Sequence, residues 1–282
     1  MQRLKRKIYD RLQAVYTRDE LKFVTIELLR YLPGLSENCY YTLPELPPSA
    51  ERDRVLDDWL ARLSAGEPLQ YVVGHADFCS LKLKCDRRAL IPRPETTELV
   101  GWIEEQETSR TAAFLDIGTG SGCIAIALAR KRPEWNVTAW DISGDALSLA
   151  MENSIECGVR IEFERHDILN WQNEVPGRKY DIIASNPPYI ASHERENMKR
   201  NVLEYEPHSA LFVPDDDPLR FYRAIAGFGL SCLNEGGAIY FEINPLYADD
   251  MEAMLNGMGY AVTFRNDISG RRRMARIYLN HE

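Results

Sequence analysis

Ala113-Phe114-Leu115-Asp116-Ile117-Gly118-Thr119-Gly120-Ser121-Gly122 is the stretch that decides how this chain is read. An apolar run carries an acid near its end, a glycine-rich turn follows, and a helical pattern opens through Cys123, Ile124 and Ala125. Glycine lets a backbone turn tightly and come close to a ligand, because no Cβ stands in the way. A strand, glycine turn and helix at the carboxyl edge of a parallel sheet make a nucleotide-type site. The dinucleotide fingerprint spaces its glycines G-x-G-x-x-G, whereas Gly118, Gly120 and Gly122 are spaced G-x-G-x-G. No Lys-Ser/Thr pair opens the helix, so the turn is not a phosphate loop either. An acid just ahead of the loop suits a ligand with an amino group better than a pyrophosphate.

Outward from this turn, strands and helices alternate. Ala112–Ile117, Asn136–Asp141, Ile161–His166, Tyr180–Ser185, Gly237–Ile243, Ala261–Arg265 and Met274–Leu279 read as strands, with helical patterns between most of them. Such alternation implies a mostly parallel sheet covered on both faces. The chain ahead of it reads differently. Ile8, Leu12, Val15 and Tyr16 recur at helical spacing, and Thr17 with Glu20 forms a capping-box pattern before Leu21, Val24 and Leu28. Pro33-Gly34 stops that helix, and a third carries Val55, Leu56, Trp59, Leu60 and Leu63 before Gly66 and Pro68. From Tyr71 to Ile91 the chain reads as extended, and Leu81-Lys82-Leu83-Lys84 alternates as a half-exposed strand does. The expected organisation is a small helical bundle over 1–70, a connecting β-hairpin over 71–92 and an α/β domain over 93–282.

Two more acids fall at strand ends. Asp141 closes the second strand of the α/β region, where a carboxylate can accept hydrogen bonds from both hydroxyls of a ribose. Asp167 closes the third, where it can accept from an adenine amino group with Ile168 against the ring, or act only as a helix cap. Asp116, Asp141 and Asp167 on successive strand ends make one crevice. Acids there repel phosphate, and S-adenosyl-L-methionine has an amino group and no phosphate. It is the ligand these residues suit, with Gly118, Thr119, Gly120, Ser121 and Gly122 as its loop.

The fourth strand runs into Asn186-Pro187-Pro188-Tyr189. Both prolines stiffen the loop and lack N–H groups, so carbonyl oxygens dominate locally. The side-chain oxygen of Asn186 and the carbonyl of Pro187 can then accept both hydrogens of one NH2 group, and Tyr189 offers a flat face to a planar amide or base. An amide nitrogen is a poor nucleophile because its lone pair is delocalised. Two acceptors can orient it and stabilise the positive charge that develops during attack. Asn186, Pro187 and Tyr189 are the candidate catalytic residues.

The carboxyl-terminal region resembles the Rossmann-like class I methyltransferases, and Asn186-Pro187-Pro188-Tyr189 resembles their amino-methyltransferase signature. DNA adenine methyltransferases and protein glutamine methyltransferases share that signature. Pro68-Leu69-Gln70-Tyr71-Val72-Val73-Gly74, Leu90-Ile91-Pro92-Arg93-Pro94-Glu95-Thr96 and Tyr205-Glu206-Pro207 with Ala210-Leu211 resemble the peptide chain release factor glutamine methyltransferase family. The likeness covers nearly the whole chain. It implies a seven-stranded Rossmann-like methyltransferase domain preceded by a small all-α bundle and a connecting hairpin. The implied substrate is the glutamine of the Gly-Gly-Gln loop in bacterial class I release factors. The implied cofactor contacts are Gly118 to Gly122, Asp141, Ile168 and Asn186, and the implied substrate contacts are Asn186, Pro187, Pro188 and Tyr189. Arg93 and Glu95 fall near the pocket mouth, with a plain surface position the alternative. Asn244 stands where relatives often carry glycine.

Composition bounds the alternatives. The chain has 282 residues, is 45% hydrophobic and carries a net charge of −9. No run of about 18 apolar residues marks a transmembrane helix. Met1 to Lys7 is basic, but neither an apolar core nor a small-residue cleavage site follows, as a secretory signal needs. Cys39, Cys79, Cys85, Cys123, Cys157 and Cys232 form no C-x-x-C pair, and His75, His166, His193, His208 and His281 are scattered. Free thiols in a reducing cytoplasm and no metal site are expected. An acidic total and the lack of a Lys/Arg-rich insert count against nucleic acid as a direct partner. An adenine or guanine amino-methyltransferase is the alternative reading, and a non-catalytic scaffold a more distant one. The helical front region has no cluster of catalytic residue types and is expected to read the protein substrate.

Overall fold

The computed structural model describes residues 1–35, 47–173 and 177–279. Cys39 and His281 lie outside them. The described chain forms two compact units. One comprises Met1–His75 with Lys199–Tyr205, the other Ala76–Met198 with Glu206–Glu282.

The first unit is helical. Gln2–Leu12, Arg18–Tyr31 and Ala50–Ser64 pack Leu4, Ile8, Leu12, Val24, Leu28, Leu56, Leu60 and Leu63 into one core. Thr17 caps the second helix with the capping box read from the sequence: its hydroxyl accepts from Glu20 N while Glu20 accepts from Thr17 N at 2.9 Å. Val15 is exposed, because the first helix stops at Leu12. A correction applies at Tyr71–Val73, read from sequence as extended: Leu69–Val73 is a turn of helix. Pro68 precedes its first residue and Gly74 closes it at φ 77°, a left-handed geometry that glycine adopts at little cost. Tyr71 and Val72 are buried. The short helix Arg200–Tyr205 belongs to this unit, although the carboxyl-terminal region supplies it, and Tyr205 Oη donates to Ala65 O at 3.2 Å.

A hairpin, His75–Phe78 (β1) and Leu81–Lys84 (β2), opens the second unit from Ala76 on, so extended structure occupies only the middle of the 71–92 segment. The sheet strands follow: Ala113–Ile117 (β3), Asn136–Asp141 (β4), Glu162–Arg165 (β5) and Tyr180–Ser185 (β6). A two-strand pair, Ile190–Ala191 (β7) and Phe212–Val213 (β8), precedes Leu233–Glu242 (β9), Tyr260–Asn266 (β10) and Arg272–Leu279 (β11). Seven strands make one sheet in the order β10-β11-β9-β6-β3-β4-β5. β9, β6, β3, β4 and β5 are parallel, and β11 runs antiparallel to both its neighbours. This is the seven-stranded α/β architecture expected from the sequence.

Both faces of the sheet are covered, which is why its strands are nearly continuously apolar. Phe114, Val137, Ile182 and Tyr240 point into one core with the helices Pro94–Gln106 and Cys123–Lys131. Leu115, Ile183, Ile239 and Phe241, one residue along in the pleat, point into the other with Arg220–Cys232 and Ala248–Gly257. Asn153, fully buried in the helix Gly144–Glu156, ties three pieces together. Its Nδ2 donates to Ser121 O at 3.0 Å and Lys84 O at 3.2 Å, and its Oδ1 accepts from Lys84 N at 2.6 Å. The glycine turn and the hairpin are thus fixed to one helix. No helix among the described residues is long and apolar enough to cross a membrane.

Candidate active site

The parallel strands β3, β4 and β6, with the turn after β5, end along one edge, and the residues beyond those ends wall a cavity of about 340 Å³. The volume is within the usual range for a site that encloses a small molecule.

The loop after β3 is built from within. Gly118 N and Thr119 N both donate to Trp140 O, at 2.8 and 2.9 Å, which pins the loop to the end of β4. Asp116 lies beneath it, fully buried. Its Oδ2 accepts from Thr119 Oγ1 at 2.6 Å and from Ala125 N at 3.2 Å, so one carboxylate oxygen shapes the turn and caps the helix behind it. Its Oδ1 has no partner among the described residues. Burial pushes this carboxyl up to about 7, against the pull of those two donors. Gly122 begins the helix at φ 82°, and a Cβ there would stand 2.9 Å from Ile126 Cδ1 and 3.0 Å from Ala150 Cβ.

Asp141 ends β4 on the cavity wall. Its Oδ2 accepts from Gly120 N and its Oδ1 from Ser143 N, each at 2.9 Å, and each oxygen keeps a second lone pair. Asp167 also faces the cavity and closes a turn, accepting from Leu169 N at 3.0 Å, so its capping role is real. Ile168 adds an apolar surface beside it, and the Trp140 and His166 rings lie 4.3 Å apart on the same wall.

The loop after β6 closes the other side. Ser185 Oγ donates to Ile117 O at 2.7 Å and locks the strand ends together. Asn186, Pro187 and Pro188 line the cavity. Asn186 Nδ2 donates to Thr96 Oγ1 at 3.1 Å, and Thr96 Oγ1 donates to Glu242 Oε2 at 2.6 Å. Tyr189 Oη donates to Glu242 Oε1 at 2.9 Å. Glu242 ends β9 at 1% exposure, and burial pushes its carboxyl up while the two hydroxyl donors and the charge of Arg273 oppose the shift. Asn244 fastens the same loop: its Nδ2 donates to Tyr189 O at 3.1 Å and Glu194 Oε1 at 2.9 Å. Arg93 sits on the cavity wall and pairs at 2.6 Å with buried Glu206, which also accepts from Ile91 N at 3.1 Å. Glu206 thereby holds the stretch from Leu90 to Arg93 against the cavity. Glu95 is not on the wall.

The cavity therefore gathers Gly118, Thr119, Gly120, Ser121, Asp141, Asp167, Ile168, Asn186, Pro187 and Pro188. Asp116, Gly122 and Tyr189 stand behind it. The first two are turned into the loop and the helix start, and the third is turned toward Glu242 and the apolar layer. Sequence reasoning quoted Thr96 and Glu206 within family-like stretches but gave them no role, and it gave none to Glu242 or Asn153 either. The available signal was a polar residue inside an apolar pattern, as at Glu242 in Phe241-Glu242-Ile243.

Comparison with known proteins fits this geometry. Residues 96–207 match the methyltransferase small domain family, and residues 4–74 match the PrmC N-terminal domain. The release factor glutamine methyltransferase of Bacteroides thetaiotaomicron is 42% identical, over 97% of this chain and 98% of that protein. That of Streptococcus pneumoniae is 45% identical over 72% of this chain and 71% of that protein. A solved methyltransferase from Pyrococcus furiosus, 16% identical, superposes with a TM-score of 0.51 over 70% of this chain and 87% of that one, a likeness of fold alone.

Proposed function

The chain belongs to the release factor glutamine methyltransferase family, and from that premise we propose how its cavity carries out the reaction. The enzyme methylates the side-chain amide nitrogen of a release factor glutamine, which we place in the Gly-Gly-Gln loop. The observation that carries the assignment is the convergence of Asn186 and Pro187 with the glycine loop and Asp141 on one cavity. Relatives of 42% and 45% identity favour this substrate over a nucleic-acid base.

The residues fit S-adenosyl-L-methionine. Asp141 keeps lone pairs for ribose hydroxyls. Asp167 accepts from Leu169 N on one oxygen and from Asn170 Nδ2 on the other, and each keeps a second lone pair for an adenine amino group, with Ile168 against the ring. The glycine loop, whose Gly118 and Gly120 line the cavity, admits a close backbone approach, with Asp116 bracing it from behind. When bound, the cofactor supplies a methyl group already activated on a sulfonium, so no covalent enzyme nucleophile is needed. Asn186 Oδ1 and the Pro187 carbonyl then accept the two hydrogens of the glutamine amide and hold its nitrogen in line for transfer. They also stabilise the positive charge that grows on it. Pro188 stiffens this acceptor pair, and Tyr189 supports it from behind. A translation-factor substrate assigns the enzyme to the cytoplasm.

The test is methyl transfer from labelled S-adenosyl-L-methionine to a release factor, to the same factor with its loop glutamine replaced, and to DNA and RNA. Label confined to the unaltered factor is expected; label on nucleic acid alone overturns the proposal. Asp141→Ala is expected to weaken cofactor binding by about 1.5–3 kcal/mol, roughly ten- to a hundredfold. Unchanged affinity by calorimetry removes Asp141 from the site.

The helical unit reads the protein substrate. One amide side chain occurs on countless proteins, so selectivity needs a second contact surface. Residues 4–74, which match the PrmC N-terminal domain, make up most of the helical unit. A chain starting at Glu67 is expected to keep its cofactor affinity and to lose most of its rate on an intact release factor. An undiminished rate makes the unit a stabilising cap instead.

A further inference from the structure

An asparagine amide is nearly symmetric in shape and opposite in chemistry at its two ends. Asn186 serves as an acceptor only if Oδ1, and not Nδ2, faces the substrate. Nothing in the side chain itself decides this; its neighbours do. We propose that Thr96 and Glu242 are positioning residues that set the polarity of Asn186, consuming its Nδ2 inward so that Oδ1 is left for the substrate nitrogen. The inference rests on the methyltransferase reading above and extends it to two residues to which the sequence reading gave no role.

The number of hydroxyl hydrogens available fixes which end of Asn186 faces inward. Glu242 receives two hydroxyl hydrogens, from Thr96 at 2.6 Å and from Tyr189 at 2.9 Å, one on each carboxylate oxygen. A threonine hydroxyl has a single hydrogen. Once it is given to Glu242, only lone pairs of Thr96 Oγ1 face Asn186, and only Nδ2 can meet them, as it does at 3.1 Å. Oδ1 facing Thr96 would set two acceptors against each other in a buried place, which is costly. Thr96 and Glu242 are both 1% exposed, so bulk water does not compete for these bonds. The backbone is held as well: Asn244 fixes Tyr189 O at 3.1 Å, and Ser185 fixes the strand end just before Asn186. While Glu242 is ionised it can only accept, and the direction of the whole chain of bonds follows from it.

The experiment compares wild-type enzyme, Thr96→Val, Thr96→Ser, Glu242→Gln and the Thr96→Val/Glu242→Gln double variant on an intact release factor, with cofactor affinity and thermal unfolding recorded for each. Valine keeps the shape of threonine and removes the hydroxyl; serine keeps the hydroxyl. Thr96→Val is expected to lower kcat by about tenfold or more, with cofactor affinity close to wild type. Thr96→Ser is expected to restore most of that loss. Glu242→Gln places an NH2 donor within reach of Thr96 and is expected to lower kcat as well. The double variant is expected to fall no further than the worse single, because the two act through one bond to Asn186. Wild-type kcat in Thr96→Val overturns the proposal. So does a loss that serine does not recover, or effects that simply add in the double variant. If Thr96→Val fails to fold, Thr96→Ser and Glu242→Gln decide alone: near-wild-type turnover in Glu242→Gln overturns it. A wild-type enzyme that leaves release factor glutamine unmethylated would instead refute the functional reading, a separate outcome visible in the first sample.

Discussion

Asn186→Ala is expected to lower kcat for methyl transfer by about a hundredfold or more while the protein stays folded, the scale seen when one preorganised partner of a developing charge is removed. On the proposed mechanism the side chain is one of two acceptors aimed at the reacting nitrogen, and its contribution grows as charge develops there. The loss therefore falls on turnover more than on cofactor affinity. Stability should change little. Asn186 is only partly buried, and its removal leaves a single lone pair of Thr96 without a partner. Steady-state kinetics with an intact release factor, beside cofactor titration of the same variant, measures both quantities. Near-normal turnover removes the amide-holding role from Asn186.

Gly122→Val is expected to be the most damaging single change in the cofactor loop. Valine at φ 82° is strained, since a left-handed backbone costs an ordinary side chain about 1–2 kcal/mol and a β-branched one more. Its Cβ would also press on Ile126 Cδ1 at 2.9 Å and on the backbone-anchored Ala150 Cβ at 3.0 Å, and crowding of that kind typically adds about 1–3 kcal/mol. The sum, about 2–5 kcal/mol, should appear as a fall in thermal unfolding temperature of roughly 4 °C or more. Gly118→Ala is the comparison: φ is again positive, at 70°, but nothing lies within 4 Å of the new Cβ, so its penalty should be the backbone strain alone. Equal melting of the two variants contradicts the packing argument.

Local patterns carried the architecture. The alternation that sends Phe114 and Leu115 to opposite cores, the glycine turn after Ile117 and the acids at Asp141 and Asp167 are all features of neighbouring residues, and neighbouring residues are what a sequence displays. The cavity wall was legible for the same reason: each of its members in the loops after β3, β4 and β6 lies within a few residues of a strand end. The supporting bonds were not legible. Thr96 meets Glu242 across 146 positions and Asn186 across 90, and Asn153 meets Lys84 across 69, so no spacing rule connects them. The expected orientation of Tyr189 toward a planar substrate had no way to anticipate a buried carboxylate behind it. The turn of helix at Leu69–Val73 is too short to show a helical period, and the segment Lys199–Tyr205 joins the helical unit through contacts distant in sequence.

On the proposed function, the cavity beside Asn186 and Pro187 places a methyl group on the amide nitrogen of a release factor glutamine. Fragmentation mass spectrometry of a release factor incubated with the enzyme and S-adenosyl-L-methionine tests it directly. One added methyl group is expected, located on the side-chain nitrogen of the Gly-Gly-Gln glutamine and absent when Asn186→Ala enzyme is used for the same time. A methyl group on any other residue, or an unmodified factor beside methylated nucleic acid, would contradict it.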